Sequence, residues 1–553
     1  MKHFIYALTI VIFSSCTSKP SADIIFVNAT IYTMNSDQPT ASAVAIKGSR
    51  IAHVGTDEEV LKWKGDNSKV IDLEGKTMIP GFIESHGHLI AMGYSLLELD
   101  LSDTKSYAEI VSRVEEAASK TKPGEWILGR GWHQSKWDSL PEKMVKGFQT
   151  HDELSAVTPD NPVYLRHASG HAAIANAKAM ELAGVNQLSI ENLNEIELEG
   201  GEMIKDANGN PTGIFNENAE ILILTHVPKS SDGMNRNAFE LAMKECNKNG
   251  ITSFHDASAD KGYKVQFQEY YDLMTEYRKA NKLSLRLNLM LPGWNKELTA
   301  EWFSSGIEAD SLHWITVCSV KLNCDGALGS RGAWLLEEYT DMPGHFGHET
   351  QPMTMVTETS EAAIQAGFQV CSHAIGDRTN REILDRYEST FLKYPDLSLD
   401  HRFRIEHAQH IDPDDIPRFG KLGVIASMQA IHMSSDRPWA IDRLGETRIK
   451  EGAYMWQDLL QSGAKVINGT DVPIEPINPL ACFYASVNRK TLGGQPEGGY
   501  EPEQKMSREQ ALRSYTIEAA YGEFAENVKG SIEVGKLADL TYTLTRHYEN
   551  TGG

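Results

Sequence analysis

The stretch "MIPGFIESHGHL", from Met78 to Leu89, places His86 and His88 two residues apart at the end of an apolar run. In an extended strand, residues i and i+2 point to the same side, so both imidazoles can reach one ion. Imidazole nitrogens are suitable ligands for zinc and similar divalent cations. The pair alone does not distinguish half of a metal site from a surface turn that holds two histidines.

Four further residues of this kind lie at or near the ends of other apolar runs, namely Lys321, His373, His407 and Asp471. Carboxylate oxygens suit the same cations as imidazole. A charged lysine would repel such cations, whereas a lysine carbamylated by CO₂ is an anionic, two-oxygen group that can bridge two ions. These six residues, called the ligand set below, therefore predict a divalent metal centre.

Eight apolar, β-type runs separated by stretches of helical periodicity can position the ligand set. The runs are "TMIPGFIESH", "GITSFHDAS", "LSLRLNLML", "ITVCSVKLNCD", "FQVCSHAIGD", "RFRIEHAQ", "GVIASMQ" and "AKVINGTDVP". Near-continuous apolar strands with helical crossovers predict an α/β fold, a (β/α)₈ TIM barrel, over residues 80–520. Active sites of such barrels lie at the C-terminal ends of the strands, where this set falls. The long gap between runs one and two predicts an insertion at about residues 90–250.

The two ends of the chain are expected to form a small β-sandwich. Residues 23–79 contain short β-type runs bounded by Gly, Asn or Asp, and residues 521–553 would supply the C-terminal part. The final "TYTLTRHYENTGG" is polar and has little strand pattern, which predicts a truncated or incomplete sandwich. An incomplete sandwich exposes a sheet edge, so we expect reduced stability or oligomerisation through that edge, in the simplest case as a homodimer.

The N-terminus predicts export. Residues 1–15 combine one early lysine with an apolar run too short to span a bilayer, as in a secretory signal peptide. The "FSSC" ending resembles a bacterial lipobox, which predicts lipid attachment at Cys16, a polar leash over residues 16–22 and anchoring to the outer side of a cell-envelope membrane. A plain signal peptide with an accidental cysteine is the alternative.

Composition excludes other classes of protein. The formal net charge of the 553 residues is −23 and no dense Lys/Arg run occurs, which argues against nucleic-acid binding. Beyond Cys16 the chain has an odd number of cysteines and no CxxC pair, so no disulfide framework is predicted.

The sequence resembles the amidohydrolase superfamily, and within it the amidohydrolase family 3 group, which includes N-substituted formamide deformylases. The resemblance extends over nearly the whole chain to about Leu540. It is carried by "PGFIESHGHL", "WILGRGWHQSKW", "GHAAIANAKAM", "GITSFHD", "VKLNCDGALGSRGA", "GFQVCSHAIGDR", "RIEHAQHI" and "GTDVPIEPINPL". These motifs are specific for the family but not for a substrate.

The resemblance implies two divalent metal ions, with zinc expected first and iron, manganese or cobalt also compatible. It implies that His86, His88 and Asp471 hold one ion and that His373 and His407 hold the other. Carbamylated Lys321 would bridge them.

The implied reaction is hydrolysis of a non-peptide C–N bond in a small amide, such as an N-formyl or N-acyl amine. Two ions can share a hydroxide as nucleophile while one polarises the carbonyl. Asp471 would take the proton of the attacking water and pass it to the leaving nitrogen.

Five further residues are candidate substrate contacts: Trp132, His171, His255, Arg331 and His432. The first two lie in the insertion, which in this family covers the barrel mouth, and the others lie near strand ends. Core packing of Trp132, a structural hydrogen bond of His171 and a solvated loop position of His432 are the alternatives. Arg331 could bind a substrate carboxylate, or pair with Asp325 or Asp377.

Two other functions remain open. A superfamily deaminase acting on a cyclic C–N bond would use one metal and a glutamate shortly after the strand-five histidine, where "HAIGD" offers only Asp377. A non-catalytic, solute-binding lipoprotein would not need to retain the ligand set.

Overall fold

The computed structural model describes residues 21–185, 201–257 and 265–542. The chain forms two compact units, one from the segments up to Pro80 and from Ser531 onward, the other from Gly81 to Gly530. The predicted signal peptide and Cys16 lie outside the described residues.

The terminal unit contains two β-sheets. Its N-terminal strands are β1 (Ala22–Val27), β2 (Thr30–Tyr32), β3 (Thr40–Ala41), β4 (Ala43–Lys47), β5 (Arg50–Gly55), β6 (Lys64–Asp72) and β7 (Thr77–Pro80). One sheet has the order β5-β4-β1-β6, and β2 pairs with β3 and β7 in the other. Ile31 and Met78 from the second sheet share an apolar cluster with Val44 and Ile51 from the first, so the two sheets form a sandwich.

The second unit begins with β8 (Phe82–Gly87), after which an insertion builds a sheet of its own. The insertion strands are β9 (Leu99–Asp100), β10 (Ile127–Trp132), β11 (Met144–Val145), β12 (Phe148–Gln149), β13 (Val163–His167), β14 (Ala172–Ala175), β15 (Gly201–Lys205) and β16 (Pro211–Glu217). Six of them form one sheet in the order β15-β16-β14-β13-β10-β9, and β11 pairs with β12.

The remaining strands complete the barrel. They are β17 (Ile251–Asp256), β18 (Arg286–Pro292), β19 (Glu308–Ala309), β20 (Ile315–Asn323), β21 (Gln369–Ala374), β22 (Arg404–His407), β23 (Ile425–Met428) and β24 (Val466–Asn468). The order β24-β23-β22-β21-β20-β18-β17-β8 is parallel throughout, with β19 as an antiparallel addition to β20.

Two backbone hydrogen bonds close the ring. Asp471 N donates to His86 O over 2.9 Å, and His88 N donates to Val472 O over 2.7 Å, which joins the segment after β24 to β8. The predicted (β/α)₈ barrel is confirmed, and all eight apolar runs contain a barrel strand. Every residue of β8, β18 and β21 is buried, which explains why these strands appear as apolar runs without alternation.

Helices connect the strands. Those of the second unit span Leu89–Ser95, Tyr107–Ala118, Asp152–Val157, Ala177–Leu182, Ile221–Leu224, Asp232–Lys248, Phe267–Lys279, Lys296–Ser305, Met353–Ala366, Asp377–Lys393, Ile416–Leu422, Ala430–Gly452, Trp456–Gln461, Pro479–Asn488, Arg508–Ser514 and Ile517–Tyr521; Asp57–Leu61 belongs to the terminal unit. The helix that leads into β17 begins where the Ser231 side chain accepts from Met234 N, which satisfies a first-turn donor.

The last described strand is β25 (Leu540–Tyr542), which pairs antiparallel with β7. It brings the C-terminal segment into the second sheet of the terminal unit, giving the order β25-β7-β2-β3. Residues 543–553, on which the expectation of an incomplete sandwich depends, lie outside the described residues.

Candidate metal centre and active site

The ligand set meets at the C-terminal ends of five barrel strands. His86 belongs to β8 and His88 follows it, Lys321 lies near the end of β20, and Asp471 follows β24 by three residues. His373 lies in β21 and His407 ends β22. The imidazole centroids are 4.9 Å apart for His86 and His407, and 4.3 Å for His373 and His407. Parallel barrel topology thus brings residues distant in sequence to one place.

Two residues of the set have left-handed backbone conformations. His407 has φ 72° and Asp471 has φ 57°. Non-glycine residues rarely adopt such angles, and each costs on the order of 1–3 kcal/mol. The surrounding barrel must therefore hold both residues in this strained conformation.

The ring of His86 is fixed by a buried carboxylate. Nδ1 of His86 lies 2.5 Å from Oε2 of Glu406, whose other oxygen lies 2.7 Å from Nε of Arg404. Burial alone would raise the pKa of Glu406, but the charge of Arg404 and the contact with His86 outweigh it and hold the pKa well below its usual range. The ionised Glu406 accepts a hydrogen bond from the N–H of Nδ1, so Nε2 of His86 presents a lone pair to the site.

The ring of His407 has a hydrogen-bond partner, and the ring of His373 lies beside a carboxylate. Nδ1 of His407 donates to Oε1 of Gln429 over 2.6 Å, which leaves its Nε2 as an acceptor. Nε2 of His373 lies 3.3 Å from Oδ1 of Asp325. Asp325 accepts hydrogen bonds from the backbone of Ile375 and Gly376, so it is itself fixed.

Asp471 lies among three imidazoles. Its Oδ1 is 3.2 Å from Nε2 of His88 and 3.6 Å from Nε2 of His86, and its Oδ2 is 3.9 Å from Nε2 of His432. Burial alone would raise the pKa of Asp471, but the close contact with His88 and the neighbouring imidazoles hold it well below its usual range. Asp471 is therefore ionised at neutral pH. Glu84 accepts a hydrogen bond from the backbone N of Thr470 over 2.6 Å, which fixes the residue that precedes Asp471.

Lys321 is buried and lines the same cavity as the rest of the set. Its Nζ donates to Oδ1 of Asn323 over 2.8 Å. Burial lowers the pKa of the Lys321 amine, against the charges of Glu406 and Asp471, which raise it.

The chemistry of the donor atoms fits divalent metal ions. Nε2 of His86 and Oδ1 of Asp471 are buried and make no hydrogen bond, and one donor atom from each of His86, His407 and Asp471 lies within 4.8 Å of the others. Burial lowers the pKa of His86 to about 4 and lowers those of His373 and His407, so these imidazoles are neutral. Neutral imidazoles converging with a carboxylate are the donor set of zinc and related metals.

A cavity of about 240 Å³ opens over this set. All six members of the ligand set line it, together with Arg130, Arg166, His171 and Glu217. A second lobe of about 50 Å³ shares His373, His407 and Asp471 with the first and is bounded by His432 and Trp439. The two lobes therefore meet at these residues of the ligand set.

A comparison of the sequence with models of protein families identifies one match. The model of the amidohydrolase family matches residues 69–543, which include the whole ligand set. The chain belongs to the amidohydrolase family. This confirms the resemblance and supports hydrolase activity that depends on metal ions.

Relatives of known name agree with this assignment. The putative amidohydrolase YtcJ of Bacillus subtilis is 32% identical over 92% of this chain and 92% of its own. The N-substituted formamide deformylase of Arthrobacter pascens is 26% identical over 94% of this chain and 92% of its own. An uncharacterized metal-dependent hydrolase of Pyrococcus furiosus superimposes with a TM-score of 0.69 at 28% identity, covering 94% and 98% of the two chains.

Two of the candidate substrate contacts lie at the cavity. His171 lines both lobes, its ring centroid is 5.3 Å from that of His373, and its Nδ1 lies 2.7 Å from Oε2 of Glu217. Burial alone would lower the pKa of His171, but Glu217 outweighs it and raises the pKa. His432 lines the second lobe beside Asp471.

The structure does not bring the other three candidates to the cavity. Trp132 is fully buried in the core of the insertion, where its Nε1 donates to Leu165 O. His255 lies between Arg404 and Glu523 inside the barrel. Arg331 pairs with Asp341 at 2.8 Å, and not with Asp325 or Asp377. Core packing and ion pairing therefore account for their positions.

Several residues of the site were not found from the sequence. They are Glu406, Asp325, Gln429 and Glu217, which hold the histidines, and Arg130 and Arg166, which line the cavity. The motif "RIEH" did contain a signal, because charged residues in a buried strand need buried partners.

The predicted signal peptide and the lipid anchor at Cys16 stay predictions, because these residues lie outside the described part of the chain. In the part of the chain that the structure describes, no helix is both long and apolar enough to span a bilayer.

Proposed function

We propose that this amidohydrolase hydrolyses a non-peptide C–N bond in a small N-formyl or N-acyl amine, with Asp471 as the proton carrier. The observation that carries the proposal is the ionised Asp471 between the imidazoles of His86 and His88, beside both cavity lobes. The formamide deformylase among the relatives supports an amide bond of this type.

The residues are suited to hold two ions. His86, His88 and Asp471 would bind one and His373 and His407 the other, with zinc expected and iron, manganese or cobalt also compatible. Lys321 would bridge them after its neutral amine adds CO₂ and releases one proton. Bound divalent ions supply Lewis acidity toward the carbonyl oxygen and lower the pKa of water.

Asp471 then handles the proton. As a carboxylate it accepts a proton from the water whose oxygen attacks the carbonyl carbon. When the C–N bond breaks, the protonated carboxyl donates that proton to the leaving nitrogen, so the products are a carboxylic acid and an amine. His432, 3.9 Å from Oδ2, lies on the side of Asp471 that faces the smaller lobe.

His171 is suited to orient the substrate. Glu217 raises the pKa of His171 and so favours its protonated ring, in which Nδ1 donates to Glu217 and the N–H of Nε2 can donate to an oxygen of the bound amide. Its place beside His373 puts that donor next to the ligand set.

The test combines metal analysis with a substrate panel. We expect protein purified without chelators to contain about two ions per chain and to hydrolyse N-formyl or N-acyl amines. Bound metal with turnover only of a cyclic C–N substrate would identify a deaminase instead. Absence of both metal and turnover in the folded protein would favour a solute-binding role and reject the proposal.

A further inference from the structure

The larger lobe of the cavity carries two arginines from neighbouring strands. Arg130 of β10 and Arg166 of β13 occupy directly paired positions in a parallel ladder, so their side chains leave the same face of the insertion sheet. Both line the lobe that contains His86 and Asp471. Two cations therefore lie on one wall, beside the centre where the amide bond is proposed to break.

Arg130 has no anionic partner of its own. Its guanidinium donates to the carbonyl oxygen of Pro473, two residues after Asp471, and it forms no ion pair within the described residues. The carboxylates of Glu98, Asp471 and Asp100 act on its charge at longer range, without an ion pair. Burial and the charge of Arg166 lower the pKa of Arg130 to about 10, so the side chain stays charged at neutral pH but is poorly compensated.

Nearby carboxylates are committed to other groups. Oε2 of Glu217 lies 2.7 Å from Nδ1 of His171. Glu220 accepts from the hydroxyl of Tyr164 and lies 3.5 Å from Nε of Arg166. Glu217 thus contacts His171 and Glu220 contacts Arg166, whereas no carboxylate of the described residues pairs with Arg130, which leaves its guanidinium for an external anion.

We propose that the substrate carries a carboxylate and that Arg130 binds it. The substrate class is then an N-formyl or N-acyl amine with an acid group, such as an N-acyl amino acid. A guanidinium presents two parallel N–H donors that match a carboxylate, and this pairing is strong when partly buried. Because Arg130 also binds the Pro473 carbonyl, the acid lies on the Asp471 side of the lobe. The choice of bond rests on the proposed function, whereas the acid recognition does not.

A binding experiment tests the recognition without turnover. Isothermal titration of the metal-loaded protein compares 3-phenylpropionate with its neutral amide, 3-phenylpropionamide. We expect the wild type to prefer the acid and Arg130→Gln to reduce the acid-to-amide affinity ratio 10- to 100-fold, the range for a hydrogen bond to a charged group. Since a carboxylate can also bind metal, the change in this ratio, and not the wild-type ratio alone, measures the part of Arg130.

Arg113→Gln is the matched control. Arg113 belongs to the same insertion but pairs with Asp103 at the surface, so its loss should leave the ratio unchanged. Arg130→Lys keeps the positive charge but lacks the two parallel N–H donors, so it should give an intermediate acid-to-amide ratio. This variant also keeps the test possible if Arg130→Gln does not fold. Equal affinities for acid and amide in the wild type, or an unchanged ratio in the Arg130 variants, would overturn the proposal.

Kinetics separate this proposal from the reaction on which it builds. N-formylphenylalanine and its primary amide are offered to the same proteins. If neither is hydrolysed while the binding ratio depends on Arg130, the reaction is wrong and the recognition stands. If both are hydrolysed with equal kcat/KM and the binding ratio is insensitive to Arg130, the reaction stands and the recognition is wrong.

Discussion

Two groups of ionisable side chains lie inside the barrel and differ in how their charges are balanced. The interior network consists of His255, Arg404, Glu406, Glu523 and Lys529, and the other group is the ligand set. In the network, Glu406 lies 2.7 Å from Arg404 and Glu523 lies 2.7 Å from Lys529, so each anion has a cation of the protein itself.

The ligand set has no such balance. Neutral imidazoles turn lone pairs toward the ionised Asp471, and the buried amine of Lys321 has a lowered pKa. Buried charges need paired charges or metals, and the network meets this requirement with arginine and lysine. The ligand set therefore needs external cations to balance its carboxylate and lone pairs, whereas the charges of the network are balanced by the protein itself.

The largest expected effect tests the reactive member of the ligand set. Asp471→Asn keeps the shape of the side chain but cannot accept the proton of water, so kcat/KM should fall on the order of 10²- to 10⁴-fold. Steady-state kinetics at saturating metal measure this. The control is Asp415→Asn, a buried carboxylate that pairs with Arg381 and Arg418 away from the site. Full activity of Asp471→Asn would show that another group moves the proton.

Removing an anion from the interior network should act on stability instead. Glu523→Gln leaves Lys529 as an unpaired buried charge, so the free energy of unfolding should fall by about 3–5 kcal/mol. Metal content, measured on the folded protein, should stay unchanged. Urea unfolding monitored by circular dichroism gives the first quantity, and a loss of metal with intact stability would contradict the distinction between the two groups.

The same carboxylate predicts how stability depends on pH. Burial alone would raise the pKa of Glu523, but Lys529 and His255 outweigh it and hold the pKa at about 2. Because this folded-state pKa lies below the ordinary value of 4.5, the contribution is fully present above pH 4.5 and is lost as pH falls toward 2. As pH falls from 4.5 toward 2, the free energy of unfolding of Glu523→Gln should therefore decrease less than that of the wild type.

Glu406 connects the two groups, and its substitution should affect metal binding more modestly. Glu406→Gln removes the anion that holds Nδ1 of His86, and changes of this kind lower metal affinity about 10- to 100-fold. Competition with a chromogenic chelator measures the affinity. Glu523→Gln is the matched control, because it removes a network anion that does not touch His86. Equal affinities of both variants would mean that Glu406 serves the network alone.

The barrel and the clustering of the ligand set could both be predicted from the sequence, because both depend on local patterns. Buried parallel strands have continuous apolar runs, and their C-terminal ends follow from chain direction, so His373 and His407 could be placed without coordinates. The partners of these residues could not be placed. Gln429 meets His407, and Asp325 meets His373, only through strand order and side-chain direction, which the sequence does not state.

The same limit explains the candidates that lie elsewhere. "SFHDAS" and "RIEHAQ" look alike, but His407 ends its strand with a left-handed turn while His255 points into the interior. Arg331 pairs with Asp341, ten residues on, through a loop whose course no periodicity predicts. The lipid anchor at Cys16 and the homodimer stay predictions.

The smallest expected effect distinguishes a histidine of the network from one of the site. Arg404 can only donate, so Nδ1 of His255 accepts from it at 3.1 Å, and Nε2 lies 3.1 Å from a carboxylate oxygen of Glu523. A glutamine amide can also accept and donate, so His255→Gln should cost only about 1 kcal/mol of stability and leave kcat/KM unchanged. The same substitution at His432, 3.9 Å from Asp471, should lower kcat/KM while preserving stability. A loss of activity in His255→Gln without loss of stability would return His255 to the candidate substrate contacts and erase the boundary between the two groups.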